Sequence, residues 1–450
     1  MTTRPSAPPA ASWITRTLEA AGHETWAVGG AVRDACLGRP SDDWDFATHA
    51  RPKQVRRLFR RTVPIGVEHG TVGVLARDGT LYEVTTFRRD VATDGRHAVV
   101  AFAETLDEDL ARRDFTINAV AWHPLREELH DPFDGMGDLR RGVLRTVGEP
   151  NERFSEDFLR ILRALRFAGR FALRIEEATW EALCSHVESL RGLSGERIRE
   201  ELVKVLEDDP DPSMSLRLYA ESGALRVLYP ELDALRSESA SSSWALAVGA
   251  AAALPVGRPW LRLAALLVDV PNAAAAAVLL RLRLSNQRTD RIARVAGAAP
   301  LPAPAAPDAS YRRWLSAHGV SLFPPIARVL LARAKAGRAL APPGLTPREA
   351  ARQEPALHGP LDLPLPDDDV ERVVSSWRRA RAVRAAGSPL TVGDLALDGR
   401  GLIALGLEPG PDFGRILEGL LEWVLEDPAR NDPEVLRARV LERSEGLPRG

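Results

Sequence analysis

Residues 28–45 read VGGAVRDACLGRPSDDWD, and two features of this run indicate a site for phosphates and metal ions. The first is a short apolar stretch that ends in Gly29 and Gly30, where a helical segment begins. Paired glycines let the backbone N–H groups at a helix start approach an anion closely, and the helix dipole favours negative charge there. An ordinary strand-to-helix turn has the same pattern, so the glycines alone do not distinguish a phosphate site from such a turn.

The second feature is the carboxylate pair Asp43 and Asp45, which begins thirteen residues after Gly30. In a strand, residues i and i+2 point to the same face, so both carboxylates are predicted to lie together. Mg²⁺ prefers a few carboxylates plus substrate phosphates, so this pair can share two metal ions with a nucleoside triphosphate. A lone Asp-x-Asp is usually a solvated surface pair, but the glycine turn just upstream favours the metal site.

Short β-rich runs alternate with helical stretches from Trp26 to about Arg145, whereas nearly everything beyond Glu152 follows helical periodicity. We therefore predict an α+β fold, in which a head with a small mixed sheet precedes an all-helical neck, body and tail. A chain of 450 residues exceeds what one hydrophobic core usually serves. The predicted parts are a disordered leader (1–12), a head (13–150), a neck (151–210), a body (211–340) and a tail (341–450), with Pro- and Ala-rich linkers at 296–309 and 341–369.

Within the head, Asp78-Gly79 is a strong hairpin signal between the predicted strands 71–75 and 81–87. Period-2 alternation then places Glu83, Thr85 and Phe87 on one face. Glu83 is the candidate for a third carboxylate near the metal ions. A cross-strand ion pair of Glu83 is the alternative.

Composition excludes several classes of protein. The two cysteines, Cys36 and Cys184, provide neither a disulfide framework nor a zinc cluster, which fits a reducing cytoplasm. Charged residues and prolines interrupt the apolar stretch 243–282 in every window near the ~20 residues that a membrane span needs. We therefore expect buried helices there, no membrane partner and a cytoplasmic location. The oligomeric state is not predicted.

Taken together, the motifs resemble the nucleotidyltransferase superfamily that contains DNA polymerase β, specifically its bacterial branch of CCA-adding enzymes and poly(A) polymerases. The resemblance covers most of the chain and is strongest over residues 26–205. It rests on runs at 29–34, 37–38, 43–45, 112–119, 131–135, 138–139 and 153–167, with weaker matches at 196–198, 230–232, 393–395 and 409–411. The run 112–119, RRDFTINA, is the most specific of them.

The resemblance implies a polymerase β-like head and template-independent addition of C and A to the 3′ end of tRNA. The RNA 3′-hydroxyl would attack the α-phosphate of CTP or ATP and release pyrophosphate, assisted by two Mg²⁺ ions on Asp43 and Asp45. Arg113 would meet the triphosphate or the primer terminus, and Asp114 and Asn118 the sugar region. The full set of implied nucleotide-binding residues is Gly29, Gly30, Arg33, Asp34, Arg113, Asp114, Asn118, Asp157, Arg160, Arg163 and Arg166.

An amphipathic helix is predicted from Glu156 to Gly169, with an apolar stripe formed by Phe158, Ile161, Leu162, Leu165 and Ala168. Asp157, Arg160 and Arg163 follow along its polar side. A carboxylate accepts from the amino group of cytosine or adenine, and a guanidinium donates to the adjacent ring nitrogen or carbonyl, whereas guanine and uracil would be mismatched. A surface ion pair between Asp157 and Arg160 is the alternative. The resemblance assigns these two residues to base reading and places Arg163 and Arg166 beside them.

In the last third, Arg378, Arg379, Arg381 and Arg384 lie on a predicted helix beside an exposed Trp377. Such a face would suit the tRNA backbone, and a solvated helix face is the alternative.

Several functions remain open. The run 66–72 resembles the CCA-adding version of the family, but addition of only C, addition of only A, and polyadenylation are not excluded. An inactive relative that binds RNA is the alternative from another class. The segment 90–102, where the family places a mobile loop, contains Asp94-Gly95-Arg96-His97, with Ala98 where proline is usual.

Overall fold

The computed structural model describes residues 5, 7–41, 43–93, 98–236, 242–340 and 368–444, with backbone only for 90–93, 98–100, 368 and 443–444. The chain divides into two compact units, Met1–Val205 with Asp211–Pro230, and Leu206–Pro210 with Glu231–Gly450. The finer division into head, neck, body and tail stays a prediction.

All eleven strands of the described residues lie in the first unit. They are β1 Thr25–Val28, β2 Asp45–Thr48, β3 Thr62–Gly66, β4 Thr71–Leu75, β5 Leu81–Thr86, β6 Arg88–Thr93, β7 Ala98–Phe102, β8 Ala121–His123, β9 Glu128–His130, β10 Val143–Leu144 and β11 Arg174–Ile175. Seven of them form one sheet in the order β3-β4-β5-β2-β1-β8-β9. The β2–β5 pair is parallel and the other pairs of this sheet are antiparallel, so the predicted mixed sheet is confirmed.

The hairpin of β4 and β5 turns at Asp78-Gly79, as predicted. Gly79 has a φ of 91°, which glycine adopts without strain, and Asp78 Oδ1 accepts a hydrogen bond of 2.9 Å from the Thr80 N–H. The prediction that Phe87 shares the face of Glu83 agrees with the register, because Phe87 packs with Trp26 and Ala47, which pair along the same face of the sheet as Asp45 and Glu83. β5 ends one residue earlier, and the Phe87 side chain is fully buried in the head core, where it packs in one cluster with Trp26, Leu106 and Leu110.

The helices of the first unit surround this sheet and continue beyond it. They are α1 Pro9–Glu19, α2 Gly30–Cys36, α3 Pro52–Leu58, α4 Leu106–Ala111, α5 Gly135–Arg141, α6 Pro150–Glu156, α7 Leu159–Phe171, α8 Glu177–His186, α9 Gly195–Asp208, α10 Ser213–Glu221 and α11 Ala224–Leu228. The disordered leader is predicted too long, because α1 already begins at Pro9 and buries Ala11. Proline is well suited to this first helical position. Residues 1–4 and 6 of the leader lie outside the described residues.

The predicted helix from Glu156 to Gly169 is wrong at its start. α6 ends at Glu156, and Asp157 has extended backbone with φ −156° and ψ 106°. Asp157 Oδ1 accepts a hydrogen bond of 3.0 Å from the Leu159 N–H, so the residue caps α7 instead of lying within it. The predicted stripe is confirmed at Ile161, Leu162, Leu165 and Ala168, all fully buried, whereas Phe158 is half-buried.

The second unit is helical throughout its described residues. Its helices are α12 Pro230–Asp233, which begins at the boundary, α13 Ser243–Ala252, α14 Pro259–Leu266, α15 Asn272–Arg281, α16 Asn286–Ala296, α17 Asp308–His318, α18 Phe323–Leu340, α19 Asp368–Ala385, α20 Gly399–Ala404, α21 Asp412–Glu426 and α22 Pro433–Ser444. The first predicted linker separates α16 from α17, and most of the second, residues 341–367, lies outside the described residues. Within the described part of the chain, no single helix has the length and apolarity to cross a membrane, although α17 and α18, bent by 107°, meet those criteria together.

Candidate active site

Two of the predicted carboxylates, Asp45 and Glu83, lie on one face of the sheet. Asp45 lies on β2 directly opposite Glu83 on the parallel neighbour β5, and the register continues to Val28 on β1 and to Gly73 on β4. Asp43 precedes Asp45 by two residues. The three acidic residues therefore lie around one end of β2, beside the point where β1 leads into the glycine turn.

Electrostatics in this region favour a cation. Burial, followed by the charges of Asp43 and Glu83, raises the pKa of Asp45 to about 7, and Arg113 opposes this shift. In the described part of the chain, none of the three carboxylates makes a side-chain hydrogen bond or an ion pair. As the side chains stand, no group of three His, Cys, Asp or Glu residues among those described is placed to hold a metal ion. Mg²⁺ nevertheless prefers a ligand set of one or two protein carboxylates together with phosphate oxygens, so these residues fit such an ion.

Two arginines flank the glycine turn. Gly29 has a φ of 78°, and a Cβ built on it would lie 2.8 Å from Arg113 Nη1. A Cβ on Gly30, the first residue of α2, would lie 3.6 Å from Arg33 Nη2. Arg113 is held in place by the Asn118 carbonyl and by the Asp109 carboxylate, each at 3.3 Å. The bare turn thus lies between two guanidinium groups, which is a suitable environment for phosphate oxygens.

Arg33 is only 4% exposed although it carries a charge. Its Nε donates a hydrogen bond of 2.9 Å to Asp34 Oδ1, and its Nη1 donates to Asn118 Oδ1. Burial lowers the pKa of Arg33, and the Asp34 carboxylate opposes that shift. The guanidinium carbon also lies 4.3 Å from the centroid of the Phe171 ring. The sequence motifs include Arg33 but not the residue that carries this ring.

A buried hydrogen-bonded chain connects the head to α7. Asp114 Oδ1 accepts a hydrogen bond of 2.9 Å from Asn118 Nδ2, and Asp114 Oδ2 accepts one of 2.7 Å from Arg163 Nε. Burial raises the pKa of Asp114, but Arg163 and Asn118 outweigh it and bring the pKa down to about 2. Asp114 is therefore a carboxylate at neutral pH, and the chain runs from Arg33 through Asn118 and Asp114 to Arg163.

The run 131–139 supports the turn that carries Asn118. Asp138 Oδ2 accepts a hydrogen bond of 2.7 Å from Thr116 Oγ1, and a Cβ on Gly135 would collide with the Thr116 carbonyl. Asp131 accepts from the backbone N–H groups of Gly135 and Met136 at 2.7 and 2.8 Å. In the sequence, this run was assigned no role beyond its resemblance to the family. The position of Asp131 shortly before the first residue of α5, Gly135, was the signal from which a role in capping that helix could have been predicted.

The predicted base readers Asp157 and Arg160, and Arg163 and Arg166 predicted beside them, lie on α7 or at its cap, and each has a protein partner. Arg160 pairs with Glu156 and donates to the Arg153 carbonyl at 3.0 Å, and Arg163 pairs with Asp114. The remaining pairs are Arg166 Nε to Glu201 Oε2 and Arg197 Nη2 to Asp157 Oδ2, both at 2.7 Å. The alternative of an Asp157–Arg160 ion pair is wrong. Glu156, Arg197 and Glu201 are the site residues that the sequence analysis missed.

The four tail arginines Arg378, Arg379, Arg381 and Arg384 are exposed on α19, whereas Ala380 and Val383 on the opposite side are buried. Arg379 Nε donates to Asp308 Oδ1 at 2.7 Å. Trp377 is half-buried, so the prediction of an exposed aromatic there is wrong in degree. Their contact with RNA stays a prediction.

Comparison with known proteins identifies the family. Residues 25–145 match the family described as "Poly A polymerase head domain", and residues 172–236 match "Probable RNA and SrmB- binding site of polymerase A". The CCA-adding enzyme of Enterococcus faecalis is 37% identical over 308 residues, which cover 66% of this chain and 71% of that protein. This chain belongs to the CCA-adding enzyme family.

Other relatives agree. The CCA-adding enzyme of Streptococcus thermophilus is 50% identical over 195 residues, which cover 43% of this chain and 48% of that protein. The chain thus spans about half the length of the first curated relatives that it matches. A crystal structure of the Bacillus stearothermophilus CCA-adding enzyme in complex with CTP is similar with a TM-score of 0.72 and 30% identity, covering 98% of this chain and 99% of that one. The predicted fold class and family are confirmed.

Proposed function

We propose that this chain is a template-independent nucleotidyltransferase that adds C and A to the 3′ end of tRNA from CTP and ATP and releases pyrophosphate. The observation that carries the proposal is the cluster of Asp43, Asp45 and Glu83, unpaired within the described residues, beside the turn between Arg33 and Arg113. Family membership and the similarity to a CTP complex support it.

The family implies dependence on a divalent metal ion. We propose two Mg²⁺ ions, held by Asp43 and Asp45, with Glu83 as a further carboxylate. Ions bound there would lower the pKa of the RNA 3′-hydroxyl and stabilise the charge that develops on the triphosphate. Repulsion among the three carboxylates is, after burial, the next largest cause of the raised Asp45 pKa. The positive charge of the ions would relieve this repulsion.

The remaining steps belong to the side chains. Arg33 and Arg113 would bind triphosphate oxygens across the glycine turn, where their planar forks match the geometry of phosphate. Asp34 orients Arg33 through its hydrogen bond of 2.9 Å. Asp114 and Asn118, fixed by their mutual hydrogen bond, would contact the sugar region.

Base selection would be carried out by Asp157 and Arg160, with Arg163 and Arg166 beside them. The Asp157 carboxylate can accept from the amino group of cytosine or adenine, and the Arg160 guanidinium can donate next to it. To do so, the two side chains must exchange their present partners, Arg197 and Glu156, for the base. Only the correct base gives both Asp157 and Arg160 a new hydrogen-bonded partner, so the exchange favours C and A.

The tRNA is the proposed partner, with the exposed arginines of α19 as backbone contacts. The cytoplasm is the proposed location, supported by this substrate and by the free thiols Cys36 and Cys184.

One assay tests the proposal. Purified protein is offered tRNAs that end before CCA, after C and after CC, and an oligo(A) RNA, each with Mg²⁺ and with CTP, ATP or both. With both nucleotides present, full CCA addition predicts extension of all three tRNAs to the same length. Extension only by C, only by A, or of oligo(A) beyond three residues would instead support the corresponding alternative. No product with any RNA, together with retained tRNA binding, would support the inactive relative.

A further inference from the structure

Phe171 ends α7 and lies outside every motif of the sequence. Its ring stacks on that of Phe167 with 6.1 Å between centroids and 20° between planes. The Arg33 guanidinium carbon lies 4.3 Å from the Phe171 centroid and 5.3 Å from the Phe167 centroid. At these distances the ring faces attract the cation.

The contacts of Arg33 divide into two kinds. Asp34 and Asn118 accept hydrogen bonds from its edge, and they fix where the guanidinium lies. An aromatic face fixes the tilt of the guanidinium plane and uses none of its N–H groups. Tilt matters here because Nη2 lies 3.6 Å from the Cβ position of Gly30, on the side where a phosphate would bind.

We propose that Phe171 is a positioning residue for the nucleotide: its ring sets the plane of the Arg33 guanidinium and so joins the phosphate end of the site to α7, the helix that carries the proposed base reader Arg160. The proposal rests on the proposed function, because it takes Arg33 to bind the triphosphate. It adds a second connection, through ring faces, to the hydrogen-bonded chain from Asn118 through Asp114 to Arg163.

The first experiment compares variants of the ring. Phe171→Leu keeps an apolar side chain without the aromatic face, and Phe171→Tyr keeps the face. Phe59→Leu is the control for removal of a ring: Phe59 is buried, at 4% exposure, whereas Phe171 is half-buried, and the Phe59 ring contacts only Trp13, at 5.1 Å, among the described aromatic and guanidinium groups. Dissociation constants for CTP, ATP and cytidine are measured by calorimetry on the full chain, with thermal unfolding alongside.

We expect Phe171→Leu to weaken CTP and ATP binding equally, by roughly fivefold, the size of a partly desolvated cation–π contact. Cytidine binding should not change, because it has no phosphate. Phe171→Tyr and Phe59→Leu should bind both nucleotides as the wild type does. A loss of cytidine binding in proportion to CTP would overturn the proposal, because a general loosening of α7 would act on the base.

A double-mutant cycle isolates Arg33, which is needed because Arg39 and Arg170 also lie 5.1 and 5.6 Å from the Phe171 centroid. In an Arg33→Met background, which removes the cation, Phe171→Leu should cause no further loss of CTP affinity. Additive losses, or a Phe171→Leu variant that binds CTP as the wild type does, would overturn the proposal and leave the proposed function intact. A wild-type chain that binds neither nucleotide would overturn both.

Discussion

Replacing Gly29 with alanine places a methyl group between the strand that carries the turn and the Arg113 guanidinium. The backbone at Gly29, with φ 78° and ψ −139°, is a conformation that side chains with L chirality adopt at a cost of about 1–3 kcal/mol. The new Cβ would lie 2.8 Å from Arg113 Nη1, so the guanidinium would also retreat by several tenths of an ångström. We expect the free energy of unfolding to fall by about 1–3 kcal/mol and KM for CTP to rise by roughly tenfold.

Gly30→Ala is the matched control at the next position. Its Cβ would lie 3.6 Å from Arg33 Nη2, which is an ordinary contact, and the residue is the first of α2, where alanine is the better helix former. Urea denaturation and steady-state kinetics with CTP are measured for both variants. The reasoning is refuted if the two substitutions have equal effects, or if Gly29→Ala unfolds and turns over as the wild type does.

Three further substitutions test other parts of the structure. Asp45→Asn should abolish nucleotide incorporation. Folding raises the Asp45 pKa from 3.8 to about 7, so ionisation of this carboxyl opposes folding. Metal-free wild type should therefore lose stability as pH rises through that interval, whereas the variant should not, as thermal unfolding against pH will show. Gly169→Ala would bring a Cβ to 2.6 Å from the Ser215 backbone nitrogen and should cost about 1–3 kcal/mol in urea denaturation. Replacing Arg378 and Arg381 by alanine should weaken tRNA binding and reduce its logarithmic salt slope by about 0.9 per lost phosphate contact, with CTP affinity unchanged; an unchanged slope in filter binding would argue for a solvated face.

Local patterns predicted the local structure well. The glycine turn between β1 and α2, the hairpin at Asp78-Gly79 and the buried stripe of α7 each follow from residues close together in the chain. Where two local tendencies compete, prediction was less successful. At Asp157 the helical periodicity continues, but the carboxylate caps the next helix instead, because a short acidic side chain bonds to free N–H groups.

Glu83 shows why the site itself was harder to predict. From the sequence, Glu83 could belong either to a metal site or to a cross-strand ion pair. Which of these holds depends on the register of β5 against β2, two parallel strands that β3 and β4 separate in the chain. The other groups near it have different partners: the Arg88 N–H donates to Asp109 Oδ1 at 3.1 Å, and its guanidinium donates to the His69 carbonyl at 3.0 Å. Such pairings between distant segments are tertiary facts that a propensity or a period does not contain.

The paired arginines of α7 bear on how the site would discriminate. Arg160, Arg163 and Arg166 each face a carboxylate, so a nucleotide gains only the difference between its own contacts and those that it replaces. This net gain in binding free energy is small for a phosphate group alone and larger for a base that replaces the hydrogen bonds lost by the arginine and the carboxylate that it contacts. A wrong base leaves a buried charge without a partner, which costs more than the correct base gains. Pairing the cations internally therefore lowers affinity for all nucleotides and increases the contrast among them.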